Sequence, residues 1–146
     1  MKETAYDMLY LSACAVNGIV PDTGHIAHMN LEKLFQICQF HSFTAIVCMS
    51  LESVGIANKK FIEAKSKAIR KNILLDTERE KIFEFLEQNK IWYMPLKGVI
   101  LKELYPKIGM RQMSDNDILF DETYRKDVVR FMKNKGYHLS LIHISE

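Results

Sequence analysis

The sequence lacks the features of disulfide-rich and repeat proteins. Its 146 residues include only three cysteines, Cys14, Cys38 and Cys48. Because they are an odd number and form no C-x-x-C pair, a disulfide framework is excluded and a reducing, cytoplasmic environment is favoured. We expect all three to be packing residues. The chain also has no internal repeat and no low-complexity segment.

Long apolar runs are missing as well. No stretch approaches the roughly 20 residues that a membrane-spanning helix needs. Leu11-Ser12-Ala13-Cys14 is similar to a lipoprotein cleavage box, but the apolar segment before it is only Met8-Leu9-Tyr10, and Glu3 and Asp7 stand where a leader is basic. We therefore predict no processed signal, no membrane contact and a cytoplasmic location.

Neither sign of charge is in large excess. The 20 basic and 18 acidic residues give a net charge of +2, which does not by itself imply a nucleic-acid partner and does not exclude one. The length suits one domain, or one domain with a helical extension. We expect a helical region over residues 1–89 and a second region over residues 90–146.

Apolar spacing predicts helices over the first 89 residues. The segments are about 3–17, about 31–40 after an Asn30 cap, about 42–54, and a long one from about 59 to 89 that bends near Asp76-Thr77. The first half of the long segment is basic, and its six cations are Lys59, Lys60, Lys65, Lys67, Arg70 and Lys71. They are interpreted either as a solvated helix face or as a contact for a polyanion. Apolar residues of the second half, around Phe83 and Leu86, are expected to dock on a sheet.

From Ile91 the pattern changes to strand, helix, strand, helix and strand. We predict a strand at 91–96, a tight turn at Lys97-Gly98, a helix at 99–105, a strand that includes 118–120, a helix at 122–134 capped by Asp121, and a last strand at 137–144. This order predicts an α+β fold, with a helical N-terminal region followed by a small mixed sheet and flanking helices.

Two carboxylates lie one residue apart in Asp115-Asn116-Asp117, directly before the apolar run 118–120. On an extended segment, Asp115 and Asp117 would share one face while Asn116, Ile118 and Phe120 face the other way. Adjacent ionised carboxylates repel each other, and a bound cation or a shared proton reduces this repulsion. Mg²⁺ suits such a pair, because it takes one or two protein carboxylates and completes its shell with water and phosphate.

Together these residues resemble a known family. Leu96-Lys97-Gly98, Tyr105-Pro106, Arg111 and Met113, and the run from Asp115 to Phe120, are similar to the nucleotidyltransferases of the DNA polymerase beta-like superfamily, in a branch with Leu-Lys-Gly at the turn. The resemblance covers residues 91–137 well and the helical part loosely. It implies that residues 90–146 form a partial nucleotidyltransferase core.

The resemblance also implies an activity and a site. Asp115 and Asp117 would be catalytic residues that hold two Mg²⁺ ions, and a nucleoside monophosphate would pass from a nucleoside triphosphate to an unknown acceptor. Lys97 and Arg111 would bind the triphosphate, although Lys97 could be a surface lysine and Arg111 could merely neutralise the carboxylates. Gly98 would admit the phosphates closely, and Ser114 would add a hydroxyl or cap the turn.

The chain departs from this pattern in one respect. The superfamily usually has a third acid on a later strand, and residues 137–144 offer none; Glu146 follows at the terminus. Relatives of this branch are longer, and residues 140–146 are similar to a translated sequencing adapter. We therefore expect the natural protein to diverge after about Leu139, and this fragment could be inactive.

Other classes stay open. A non-catalytic, antitoxin-like interaction protein would keep the fold without the third acid, and a basic helical nucleic-acid binder is a further alternative. The pairs His25/His28 and Cys38/His41 have zinc-compatible side chains, but their spacing matches no standard site and Cys38 fits an apolar helix face.

Overall fold

The computed structural model describes residues 2–140, which form seven α-helices, one short 3-10 turn and two short strands. In chain order these are α1 (Lys2–Asn17), α2 (Thr23–Ala27), α3 (Leu31–His41), α4 (Thr44–Ser53), α5 (Lys59–Gln88), β1 (Tyr93–Pro95), α6 (Lys97–Lys102), β2 (Ile118–Phe120), the 3-10 turn Glu122–Tyr124 and α7 (Arg125–Asn134). The predicted α+β class with a helical N-terminal part is confirmed.

A large apolar core lies among the N-terminal helices. Leu11, Leu34, Val47 and Phe61 are fully buried there, on α1, α3, α4 and the first half of α5 respectively. The three cysteines are buried and unpaired, so their predicted role in packing is confirmed. Burial raises the pKa of the Cys38 thiol to about 12 and that of Cys48 to about 11. Both are therefore inert apolar side chains at neutral pH.

A second, smaller core lies between the end of α5, the strands and α7. Leu86, Ile91 and Val128 are buried in it, and apolar neighbours on both strands pack around them. Two aromatic pairs close its edges: Phe85 stacks on Phe131 at 4.1 Å, and the Phe83 and Tyr93 rings lie 4.6 Å apart. The predicted docking of the second half of α5 on the sheet is confirmed.

The sheet of the described residues consists of two antiparallel strands. Tyr93 pairs with Phe120, Met94 with Leu119, and Pro95 with Ile118. The predicted last strand is wrong for residues 137–140, which are irregular: Gly136 is left-handed, and the Tyr137 amide donates to the Met132 carbonyl at 3.0 Å and so closes the end of α7. The remainder of the predicted last strand, residues 141–144, lies outside the described residues.

Side-chain caps mark the starts of α2, α3, α5 and the 3-10 turn. The side chain of Asn30 accepts from Lys33 N at 3.0 Å, and that of Asp121 accepts from Thr123 N, as predicted. One prediction was shifted: α6 begins at Lys97 and ends at Lys102, whereas the pattern indicated 99–105. Lys97-Gly98 is therefore the first turn of the helix itself. Within residues 2–140, no helix combines the length and apolarity that a membrane crossing requires.

Candidate active site

The end of the strand pair places Lys97 beside Asp117. One residue beyond the Pro95 and Ile118 pair, the backbone N–H of Leu96 donates to the carbonyl of Asp117 at 2.9 Å. α6 starts at the next residue, so the Lys97 ammonium reaches the carboxylate, with Nζ 3.5 Å from Oδ2 of Asp117. Both side chains are open to solvent, with 77% and 37% of their surfaces exposed. This ion pair is accessible to a ligand.

Asn116, between the two acids, points to the long helix. Its Nδ2 donates to the backbone carbonyl of Leu75 at 2.8 Å, and its Oδ1 accepts from Nη1 of Arg79 at 3.3 Å. Ile118 and Phe120 follow at the same parity and belong to the second core, as the alternation predicts. Asp115 is exposed, and its Oδ1 accepts a hydrogen bond from the Ser114 hydroxyl at 3.2 Å.

The Asp76 carboxylate on α5 connects the segment that contains Asn116 with α6. Oδ1 of Asp76 lies 2.8 Å from Nη1 of Arg79, which in turn holds Asn116, and Oδ2 lies 2.6 Å from Nζ of Lys102 at the end of α6. Arg79 and Lys102 are about nine-tenths buried. Burial by itself would raise the pKa of the Asp76 carboxyl, but the hydrogen bonds and charges of Lys102 and Arg79 outweigh it and hold that pKa below its usual range. Asp76 therefore anchors both the carboxylate segment and the helix that bears Lys97.

The glycine of the turn is closely covered by two side chains. A β-carbon at Gly98 would lie 3.3 Å from Cε of Met113 and 3.9 Å from Nη2 of Arg111. Of the first amides of α6, that of Val99 donates to the Leu96 carbonyl at 3.2 Å, whereas those of Lys97 and Gly98 have no backbone acceptor outside the helix among residues 2–140. The structure thus brings Arg111 to Gly98.

Arg111 is not paired with the two acids. Among residues 2–140 it makes no ion pair within 4.0 Å, and its buried Nε has no hydrogen-bond partner. Arg111 also lines a cavity of about 240 Å³ together with Asn72, Asp76 and Lys102. It is Lys97, and not Arg111, that contacts Asp117.

The donor set at Asp115 and Asp117 is chemically suited to Mg²⁺. Both side chains are oxygen donors at least partly open to solvent, and Mg²⁺ takes one or two carboxylates while keeping water and phosphate in its remaining positions. No group of three or more Asp, Glu, His or Cys side chains that could hold a metal ion occurs within residues 2–140. The third acid implied by the resemblance is therefore not at this site in the described part of the chain, and Glu146 lies outside it.

The sequence reasoning missed Asp76, Arg79 and Lys102. Asp76 and Arg79 lie 18 to 40 positions from Lys97 and Asn116 in the chain, and Lys102 lies 26 positions from Asp76, so no local spacing joins these contacts. The only signal was an acid and a base one turn apart on α5, at Asp76 and Arg79, which is common on exposed helices.

The histidines and cysteine considered as zinc ligands do not form a metal site among residues 2–140. Cys38 is fully buried in the large core, whereas Nε2 of His25 lies 3.2 Å from Oδ1 of Asp7 on α1. Cys38 is therefore a packing residue.

A family model described as uncharacterised nucleotidyltransferase matches residues 27–142, which is most of the chain and includes every residue of the site described above. No curated protein and no solved structure matches the chain significantly.

Proposed function

Because the chain belongs to the uncharacterised nucleotidyltransferase family, we propose that it transfers a nucleoside monophosphate from a nucleoside triphosphate to an acceptor. The observation that supports this most directly is the meeting of Lys97 and Asp117, 3.5 Å apart, at the first turn of α6. A cation, a carboxylate and the first amides of a helix, brought together in this way, suit the recognition of a metal-bound phosphate.

The residues of the site have separate roles in the proposed reaction. Lys97 and Arg111 bind triphosphate oxygens, Gly98 allows the phosphates to approach the backbone, and the Ser114 hydroxyl orients Asp115. An acceptor oxygen forms a bond to the α-phosphorus while the bond from that phosphorus to the bridging oxygen breaks. Pyrophosphate leaves with the electron pair of that bond, and the acceptor proton passes to solvent.

Asp115 and Asp117 are the residues that would hold Mg²⁺, with two ions expected. When bound, the metal supplies charge neutralisation of the phosphates and activation of the acceptor oxygen. With a metal held there, Lys97 would be released from Asp117 and would bind the triphosphate instead. Asn116 keeps the segment against α5 during this exchange.

A second candidate function is binding without catalysis. It is supported by one observation, the lack of a third acid near the pair in the described residues. An interaction protein of this kind would keep the fold and dispense with the metal.

Titration calorimetry with Mg²⁺ and each nucleoside triphosphate tests the proposal. We expect Mg²⁺-dependent binding of at least one nucleotide, weakened more than about 100-fold in Asp117→Asn, because even outer-shell partners of a metal contribute about 10- to 100-fold. Asp121→Asn is the matched control, since Asp121 only caps the turn that follows and an asparagine can accept the same hydrogen bond.

The two candidates give different results. Nucleotide binding that is independent of Mg²⁺, or equal in Asp117→Asn and the control, contradicts the transferase. No binding of any nucleotide by the folded protein supports the interaction protein.

A further inference from the structure

A second cleft lies between the basic part of α5 and residues 112–114, which directly precede the carboxylates in the chain. We call it the lysine cleft and define it by Thr44, Lys67, Lys71, Gln112, Met113 and Ser114; its volume is about 330 Å³. The size is at the lower end of the range for small-molecule sites, roughly 300 to 1,000 Å³. It suits one small ligand.

The two lysines of this cleft differ from the preceding lysines of the same helix. Lys60 lies 2.7 Å from Glu32, and Lys65 lies 2.6 Å from Glu52, so both are neutralised by acids of other helices. Lys67 and Lys71 have no carboxylate within 4.0 Å among residues 2–140. Four residues apart, they are neighbours on one helix face, where like charges disfavour each other. An anion held between them would remove that repulsion.

Another part of the cleft wall is formed by residues 112–114, which directly precede Asp115 in the chain. Ser114 lines the cleft, and its hydroxyl donates to Oδ1 of Asp115. Met113 lines it too, and its terminal methyl lies against Gly98. Gln112 is held in place by its hydrogen bond to the Thr44 hydroxyl at 2.7 Å. A molecule in the cleft would therefore be separated from Asp115 by Ser114 and from the Lys97-Gly98 turn by Met113.

We propose that the lysine cleft is the acceptor site and that Lys67 and Lys71 bind the phosphate group of a small phosphorylated acceptor. This inference rests on the proposed function, which leaves the acceptor unassigned. The proposed triphosphate site has its own cations at Lys97 and Arg111, so the second pair of cations, in the cleft that Ser114 lines, serves another anion. The acceptor is anchored by its phosphate and presents its reactive oxygen past Ser114.

The test compares two double variants that remove the same charge from α5. Lys67→Gln/Lys71→Gln removes the cations of the cleft, and Lys59→Gln/Lys60→Gln removes two cations from the first turn of the helix. Each protein is titrated with inorganic phosphate and with glucose 1-phosphate, and binding is followed by NMR shifts of the Gln112 and Ser114 amides. Nucleotide binding with Mg²⁺ is measured in parallel.

We expect the wild type to bind glucose 1-phosphate with shifts at Gln112 and Ser114. The cleft variant should bind it at least about tenfold more weakly, because a hydrogen bond to a charged group contributes about that factor. The control variant should bind it like the wild type, and both variants should keep their affinity for nucleotide with Mg²⁺.

Several results would overturn the inference. They are no phosphate binding by the wild type, equal weakening in the two double variants, or an equal loss of nucleotide affinity in the cleft variant, which would assign these lysines to the triphosphate. Binding of a 5′-phosphorylated oligonucleotide without binding of glucose 1-phosphate would assign the cleft to nucleic acid instead. If nucleotide binding is absent while cleft-dependent phosphate binding persists, the proposed function fails, and the cleft is a phosphate site of another activity.

Discussion

The two cores of the molecule are stabilised in different ways. The helical core buries many large side chains completely, among them Leu11, Leu34 and Phe61, whereas the sheet core completely buries Leu86 and leaves most of its members partly exposed. A three-residue strand pair is marginal by itself. The sheet core is supported in addition by the polar network that joins Asp76, Arg79, Lys102 and Asn116.

This difference indicates what holds the residues of the candidate site in place. Its residues lie on the less buried part of the molecule, but they are attached through hydrogen bonds to α5, which is held in turn by the helical core. Changes in the helical core should therefore act on global stability, whereas changes in the network should act on the site as well as on stability. The predictions below test this division from the largest expected effect to the smallest.

The largest loss of stability is expected for Phe61→Ala. Phe61 is fully buried and meets the Phe35 ring edge-to-face at 5.1 Å, so its removal should lower the free energy of unfolding by about 3 to 5 kcal/mol. Phe85→Ala, in the sheet core, is the matched variant and should cost about 1 to 3 kcal/mol, because Phe85 is only partly buried. Urea denaturation measures both. Equal costs would show that the two cores contribute alike.

Asp76→Asn should have the next largest effect. It leaves the nearly buried cations of Arg79 and Lys102 without their shared carboxylate, at a cost of about 2 to 4 kcal/mol. Glu32→Gln, which breaks the exposed pair with Lys60, should cost less than about 1 kcal/mol. If both variants unfold at the same urea concentration, the Asp76 network does not stabilise the fold.

The same network predicts a pH dependence. The pKa of Asp76 is lowered in the folded state, so the unfolded state takes up the proton first as pH falls. The stabilisation by Asp76 should be complete above its unfolded pKa of about 3.9 and should be lost as pH falls through the lower folded value. The difference in unfolding free energy between the wild type and Asp76→Asn should thus be constant above about pH 5 and shrink below about pH 4. A difference that is constant down to pH 2 would contradict the assignment.

Asn116→Ala should affect the site more than the fold. It removes the bonds to the Leu75 carbonyl and to Arg79, which should cost about 1 to 2 kcal/mol of stability. Because the segment that bears both aspartates loses its attachment to α5, nucleotide affinity with Mg²⁺ should fall about tenfold. Calorimetry at a temperature where the variant is fully folded separates the two effects. Unchanged affinity would reduce Asn116 to a packing role.

Gly98→Ala should have the smallest effect. Its methyl group would lie 3.3 Å from Cε of Met113, whose flexible end can move by a few tenths of an ångström. Alanine is also the better helix former, so stability should stay within about 0.5 kcal/mol of the wild type. Nucleotide affinity should fall by less than about tenfold, or about 1.4 kcal/mol, since the substitution removes no donor and displaces only the end of Met113. A loss as large as that of Asp117→Asn would mean that the backbone contact at Gly98 is essential.

The helices and the α+β class were predictable because their signals are local. Asn30 and Asp121 lie at helix starts and bind the amides that their positions require. The alternation of residues 116–120 also placed Ile118 and Phe120 on the buried face. The shifted start of α6 was less predictable, because β1 ends only two residues before it and the pairing of Leu96 with Asp117 decides where the helix begins.

The support of the site was not predictable, since it depends on distant parts of the chain. Nothing local relates Asp76 to Lys102, or Lys71 to Ser114, until α5 lies beside the residues from 110 to 117. Asp115, Asp117, Lys97, Gly98, Arg111 and Ser114 were proposed from the motif and the resemblance. Their roles in catalysis and in Mg²⁺ and nucleotide binding stay predictions.

Because α5 is one continuous helix, the direction in which Lys71 points is fixed relative to that of Asp76. The helix is continuous over 30 residues and bears both the lysines of the cleft and the Asp76 anchor, five residues after Lys71. Each residue advances the helix by about 100° and 1.5 Å, so insertion of a single residue between them would turn Lys71 away from Ser114 while Asp76 stays on its partners. The number of residues between these positions is therefore constrained as tightly as the residues themselves.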